Sequence, residues 1–132
     1  MKITSSYPVL LASDVAETAM FFRDFGYEPV FASDWYMSLR SGDHELAVLA
    51  VEHDSVPAAW RRPAAGVLVN LEVDDVDDVY RRLVIEGNHE PVQQLRSEDF
   101  GQRHFILAAP DGVLVDVITP IEPSPEFLAQ YA

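Results

Sequence analysis

The chain has no cysteine among its 132 residues. Disulfides, thiolate metal sites and a cysteine nucleophile are therefore excluded. Basic residues are scarce, with 9 Lys and Arg against 22 Asp and Glu, for a formal charge of −13. Such a surface repels nucleic acid, whose binding depends on neutralising phosphates, and it repels anionic lipid heads as well. It attracts cations through its summed field, although acidity also serves plain solubility. Long apolar runs are missing. The longest are far too short for a membrane span, and in the N-terminal MKITSSYPVLLASD the charge of Asp14 interrupts the apolar run too early for a signal peptide. The expected setting is the cytoplasm, with neither nucleic acid nor membrane as a partner. Apolar residues make up 48% of the chain, enough for a packed core in one domain of this length.

What is present is a repeat. Residues 6–12 (SYPVLLA) read as a strand, and Asp14 with Glu17 three residues on has the spacing of a helix capping box. Val15, Ala19, Phe22 and Phe25 give an apolar helical face, and Gly26 stops the helix. Strands are predicted over 27–32, 35–39 and 45–50, the last two joined by a turn at Ser41-Gly42-Asp43. Residues 52–66 carry two prolines and no strong period, and read as a connector. The order then recurs. A strand over 67–73 leads to Asp75 and Asp78 at a capping spacing, then to a helix with Val76, Val79, Tyr80, Leu83 and Val84 on its apolar face, stopped by Gly87. Strands follow over 91–95, 103–108 and 113–119, with 96–101 as a loop and Pro110-Asp111-Gly112 as a turn. Gly26 lies 12 positions after Asp14, and Gly87 lies 12 after Asp75.

The predicted fold is α+β: two tandem βαβββ units forming a curved, cleft-lining mixed sheet. The predicted organisation is a single domain over residues 1–132, with one unit over about 3–51, a connector over about 52–66, a second unit over about 67–119 and a tail over 120–132. A sheet covered by a helix on one face leaves the other to meet solvent, a ligand or a second chain, and a cleft lined by apolar and aromatic groups is a ligand pocket by default.

The segment LLASDVAETAMFFRDFGYEPV resembles the opening strand, capping aspartate, aromatic helix and glycine stop of the glyoxalase/bleomycin-resistance/dioxygenase superfamily. The segment FGQRHFILAAPDGVLVDVI resembles its closing hairpin, usually an aromatic strand, then DPDGN, then a strand with an acidic metal ligand. Ala109 stands where the first aspartate of that turn usually sits, and Val113 where the asparagine does. The resemblance covers about residues 3 to 120. It implies the vicinal oxygen chelate fold, in a family of metal enzymes, thiol transferases and drug-sequestering binding proteins. The metal enzymes draw ligands from four strand positions. Carried over, these are Tyr7, Leu46, Leu68 and Asp116, and only Asp116 is an ordinary ligand. His44, two residues before Leu46, would replace it only after a register slip of two. No metal and no other cofactor is therefore expected.

Strand alternation extends the four positions to Val9, Leu11, His44, Val48, Asn70, Glu72, Leu114 and Ile118. Asn70, inside VLVNLEV, reads either as a satisfied buried amide or as a ligand-orienting group that could also tie down Asp116. Asp116 reads as bonded to a neighbour such as Tyr7 or as a charge for a ligand. Trp35 and Tyr36 serve core packing, a dimer surface or stacking on a flat ligand, and Trp60 covers a cleft or meets a partner subunit. Arg103, inside a strand, needs an acidic partner, for which Asp116 is in reach, or touches a ligand. The expected ligand-binding set is Tyr7, Trp35, Tyr36, Leu46, Trp60, Leu68, Asn70, Arg103 and Asp116. His44, His104 and Asp116 are the weaker candidates for acid–base chemistry. The expected function is metal-independent binding of a small organic molecule, with sequestration of a cationic aromatic compound as the specific version. The alternative is a lyase, isomerase or dioxygenase-like enzyme with a non-standard site. As in the resembled family, a homodimer is the expected assembly.

Overall fold

The computed structural model describes residues 1–131. The chain divides into two compact units, residues 1–65 with 109–112, and residues 66–108 with 113–131. Each unit is a strand, a helix and three strands. The first contains β1 (Val9–Ala12), α1 (Val15–Arg23), β2 (Glu28–Ala32), β3 (Tyr36–Ser41) and β4 (His44–Ala50). The second contains β5 (Leu68–Glu72), α2 (Val76–Tyr80), β6 (Gln93–Glu98), β7 (Gln102–Ala108) and β8 (Leu114–Pro120), followed by α3 (Pro125–Leu128). The sheets have the same order, β1-β4-β3-β2 and β5-β8-β7-β6. In each, the first strand runs parallel to the last and the remaining pairs are antiparallel. Among the described residues, no helix is long and apolar enough to cross a membrane.

Both helices start as the capping pairs predict. Asp14 Oδ1 accepts from the Glu17 amide at 3.0 Å, and Asp75 Oδ1 from the Asp78 amide at 3.1 Å. Their ends differ. Gly26 takes φ 88°, where a side chain is strained. Gly87 has no positive φ. After α2 the chain widens into a π-helical stretch over Arg81–Ile85, and a Cβ on Gly87 would lie 2.5 Å from the Leu83 carbonyl oxygen. The second glycine is required for space, the first for its dihedral angle.

Each core lies between one sheet face and its helix. In the first unit Leu10, Ala12, Leu39, Leu46 and Val48 are buried with Val15, Ala19 and Phe22 of α1. In the second, Phe105, Leu107, Val115 and Val117 are buried on the side where Tyr80 meets Phe105 edge-on at 5.0 Å.

One sequence expectation needs correction here. Residues 96–98 are strand, not loop: β6 runs through Glu98, and the Glu98–Gln102 pair closes a short turn. The C-terminal tail is held to the turn after β6 by hydrogen bonds. The Ile121 amide donates to the Gly101 carbonyl at 3.0 Å, Ser124 to Asp99 at 2.9 Å, and the Tyr131 hydroxyl to Phe100 at 3.0 Å.

Candidate functional site

Each sheet has a face turned away from its helix, and register decides what it carries. In the first unit Val9 pairs with Ala47 and Leu11 with Leu49, while Tyr36, Ser38 and Arg40 pair with Leu49, Ala47 and Glu45. These residues share the face away from α1. A depression of about 130 Å³ opens there, lined by Tyr7, Val30, Ser38, Glu45 and, beneath them, the buried pair Leu39 and Leu46. Tyr7, Val9, Val30 and Phe31 are exposed apolar groups in this unit, and Tyr36 packs 6.1 Å from Phe31. Glu45 accepts from Arg40 at 2.5 Å.

The expectation that Leu46, His44 and Val48 face the same way as Tyr7 is overturned. Leu46 is 2% exposed and lies with Val48 and Leu39 on the helix-covered face, and exposed His44 pairs with Ser41 at the hairpin. The reason is the length of the two turns. Two residues, Gly42 and Asp43, separate the closing pair Ser41 and His44, whereas five, 109–113, separate Ala108 and Leu114. An even count against an odd one shifts the strand by one residue, and one residue flips every side chain. Val9 stands five residues before Asp14 and pairs with Ala47; Asn70 stands five before Asp75 and pairs with Asp116. The counterpart of Asp116 is therefore Ala47.

In the second unit the face away from α2 carries Leu68, Asn70 and Glu72 on β5, Leu114, Asp116 and Ile118 on β8, His104 and Ile106 on β7, and Arg96 and Glu98 on β6. Its β5 margin is open: Leu68 is 54% exposed, and Asn70 and Glu72 are exposed. Its other side is shielded, with His104 only 6% exposed and Asp116 4%. Phe100 lies edge-on to His104, and Phe127 of α3 edge-on to Phe100.

His104 bridges two carboxylates. Its Nδ1 meets Asp116 Oδ1 at 2.7 Å and its Nε2 meets Glu98 Oε2 at 2.8 Å, while Arg96 Nε donates to the same Glu98 oxygen at 2.8 Å. An ionised carboxylate only accepts, so with both carboxylates ionised both ring nitrogens donate and the ring carries the imidazolium charge. Burial pulls the His104 pKa down, but the bonds to Glu98 and Asp116, with the charges of both, outweigh it and hold it above the ordinary histidine value. The His104 bond first, then Arg96, holds Glu98 below the ordinary carboxylate range.

Several expected roles change accordingly. Asp116 is not the partner of Arg103. Arg103 pairs in register with Thr119, on the helix side, and its Nε and Nη2 donate to Asp77 of α2 at 3.0 and 2.9 Å, with Nη1 on Ser97 Oγ at 3.1 Å. Asn70 is not a buried amide and does not tie down Asp116. It sits exposed on an edge strand, and Asp116 is held by His104 rather than by Tyr7. Tyr36 lies on the face away from α1. Trp35, just before β3, stacks on His53 with ring centroids 4.0 Å apart. Trp60 is 69% exposed in a short 3-10 turn of the connector. Sequence reasoning missed Glu98, Arg96 and Glu45. The alternation Arg96-Ser97-Glu98 that continues β6 was the available signal for the first two.

The residues do not fit a divalent ion. At the family's ligand positions the first unit offers Tyr7 and Ala47, the second Leu68 and Asp116, and one oxygen of Asp116 is already bound to His104. Among the described residues no group of three or more His, Asp and Glu side chains is arranged to hold a metal.

A family model, that of the Glyoxalase/Bleomycin resistance protein/Dioxygenase superfamily, matches residues 5–117. No curated protein matches the chain. Among solved structures, a glyoxalase/bleomycin resistance protein/dioxygenase from Nocardioides is 20% identical with a TM-score of 0.75, over 95% of this chain and 89% of that one, a likeness of fold alone. A bleomycin resistance determinant encoded on the transposon Tn5 is 25% identical with a TM-score of 0.65, over 89% and 98% of the two chains. A bleomycin-binding protein complexed with bleomycin is also 25% identical, with a TM-score of 0.63 over the same shares.

Proposed function

The chain belongs to the glyoxalase/bleomycin resistance protein/dioxygenase superfamily, and from that premise we propose that it binds a small organic molecule directly, without a metal ion. The observation that carries this reading is the face of the first sheet away from its helix. There a depression of about 130 Å³ presents apolar and aromatic side chains together with one carboxylate, Glu45. A site of that make-up suits an apolar ligand oriented by a few polar contacts. The finer version is a flat cation, sequestered rather than transformed. The −13 formal charge lowers a cation's free energy near the protein, exposed Trp60 and half-buried Tyr36 offer stacking surfaces, and each such contact with a cationic group adds about 0.5 to 2 kcal/mol. The likeness to a bleomycin-binding protein supports this version. Exposed Val30, Phe31 and Leu68 support a homodimer, which sedimentation tests: a species of only 14.8 kDa at micromolar concentration refutes it.

The enzymatic alternative loses its best acid–base candidate, because both ring nitrogens of His104 are engaged by carboxylates. The test is titration of tryptophan fluorescence with matched cationic, neutral and anionic aromatic compounds at low and high salt. Quenching by the cations, weakened by salt and abolished by replacing Trp35 or Trp60, is expected. Preference for the anions, or no binding tighter than about millimolar, overturns the cation reading.

A further inference from the structure

Asp116 is more than nine-tenths buried, yet half of its carboxylate is uncommitted. Oδ1 meets the His104 ring, while Oδ2 bonds to no described residue. Nor is Oδ2 sealed in, since among the described residues the fully enclosed side-chain polar atom without a partner is Oγ1 of Thr18. Oδ2 therefore keeps a path to solvent. Asn70 lies in register on the neighbouring parallel strand, about 4.8 Å away by ordinary strand spacing. Its carboxamide is exposed and also bonds to no described residue. Leu68 and Leu114 form the next register pair on the same face, and Glu72 stands two residues beyond Asn70.

Separately from the depression of the first unit, we infer that in the second unit Asp116 Oδ2 and the Asn70 carboxamide oxygen form a two-point acceptor for a ligand's amidinium or guanidinium group. One N–H points to each oxygen, and the flat apolar part of the ligand lies on Leu68 and Leu114. Two acceptors a strand apart match a planar cation that carries donors on two nitrogens better than an ammonium, which is a point charge. Anions are disfavoured by Asp116 and Glu72. The bond from His104 fixes the rotation of the Asp116 carboxylate, so its free oxygen is aimed before any ligand arrives.

The probes are benzamidine, benzamide and benzoate, titrated into the full chain while backbone amide NMR shifts are followed. Benzamidine is expected to move Leu68, Asn70 and Asp116 and to bind most tightly. Asp116→Asn keeps a carbonyl for His104 and is expected to weaken benzamidine about 10-fold to 100-fold, and Asn70→Leu, at an exposed position that folding does not need, about 3-fold to 10-fold. Equal affinity in both variants overturns the two-point acceptor and leaves the functional reading standing. No shift at Leu68, Asn70 or Asp116 with any probe up to about 10 mM, or a preference for benzoate, overturns it as well.

Discussion

The two units share an element order and a strand order, but the faces they turn away from their helices differ in kind. The first carries apolar and aromatic groups around a depression with one carboxylate. The second carries the chain Arg96, Glu98, His104 and Asp116, in which an imidazolium holds two carboxylates together. At the matched position one unit has Ala47 and the other Asp116. A duplicated fold thus retains its hydrogen-bonding plan while single positions decide whether a face is greasy or charged. The price of the charged version is that every member needs its partner.

That difference is broken most severely by making the second unit like the first. Asp116→Ala leaves the His104 ring half-partnered in a buried place and is expected to cost about 3–5 kcal/mol, read by urea unfolding. Replacing His104 and Asp116 together by Leu should recover most of the loss, because neither partner is then left buried alone. A double variant no more stable than Asp116→Ala would show that the pair is not a unit.

The same network gives the second unit a pH signature. His104 has a raised pKa in the folded state, so its contribution is complete below the ordinary histidine value of 6.5 and fades as pH rises through the folded value. Glu98 has a lowered one, so its contribution is complete above the ordinary value of 4.5 and is lost as pH falls through the folded value. Stability from this network should peak between those limits. His104→Gln is expected to flatten the alkaline limb, and an unchanged limb in that variant would assign the pH dependence to other groups.

The two helix stops sharpen the comparison on a smaller scale. Gly87→Ala forces a methyl group onto the Leu83 carbonyl and should cost about 1–3 kcal/mol. Gly26→Ala should cost about 1–2 kcal/mol through its dihedral angle alone. Asparagine should be tolerated better than alanine at 26 and no better than alanine at 87, which thermal melts of the four variants can read. The smallest effect is expected from Arg103→Met. Its bonds to Asp77 lie at the surface, so the loss should stay within about 1 kcal/mol.

The repeat was legible because its signals are local. A capping aspartate, an apolar helical face and a glycine 12 residues on need no knowledge of the rest of the chain. Side-chain facing was legible in the strand before each helix, since Val9, Leu68 and Asn70 lie on the face away from it, and in β8, where Asp116 does too. It failed in β4 because counting from a glycine assumes equal turns, and the turn after β7 closes with five residues where that after β3 closes with two. The partner of Arg103 was misread for a related reason: hairpin neighbours face each other only when they have the same parity. Glu98 stayed hidden behind a stretch too polar to read as a strand, although its charges are what that strand contributes.

The hairpin turn at 109–112 groups with the first unit, where Asp111 Oδ2 accepts the amide of Ser13 across 98 residues of sequence. During synthesis, then, the ribosome must release the larger segment of the second unit, residues 66–108, before the first can acquire this contact. Residues 1–65 emerging alone have their strands and helix but not the acceptor for Ser13. The first part of the chain to be made is among the last to be finished, and a nascent chain stalled before residue 109 carries an incomplete amino-terminal half.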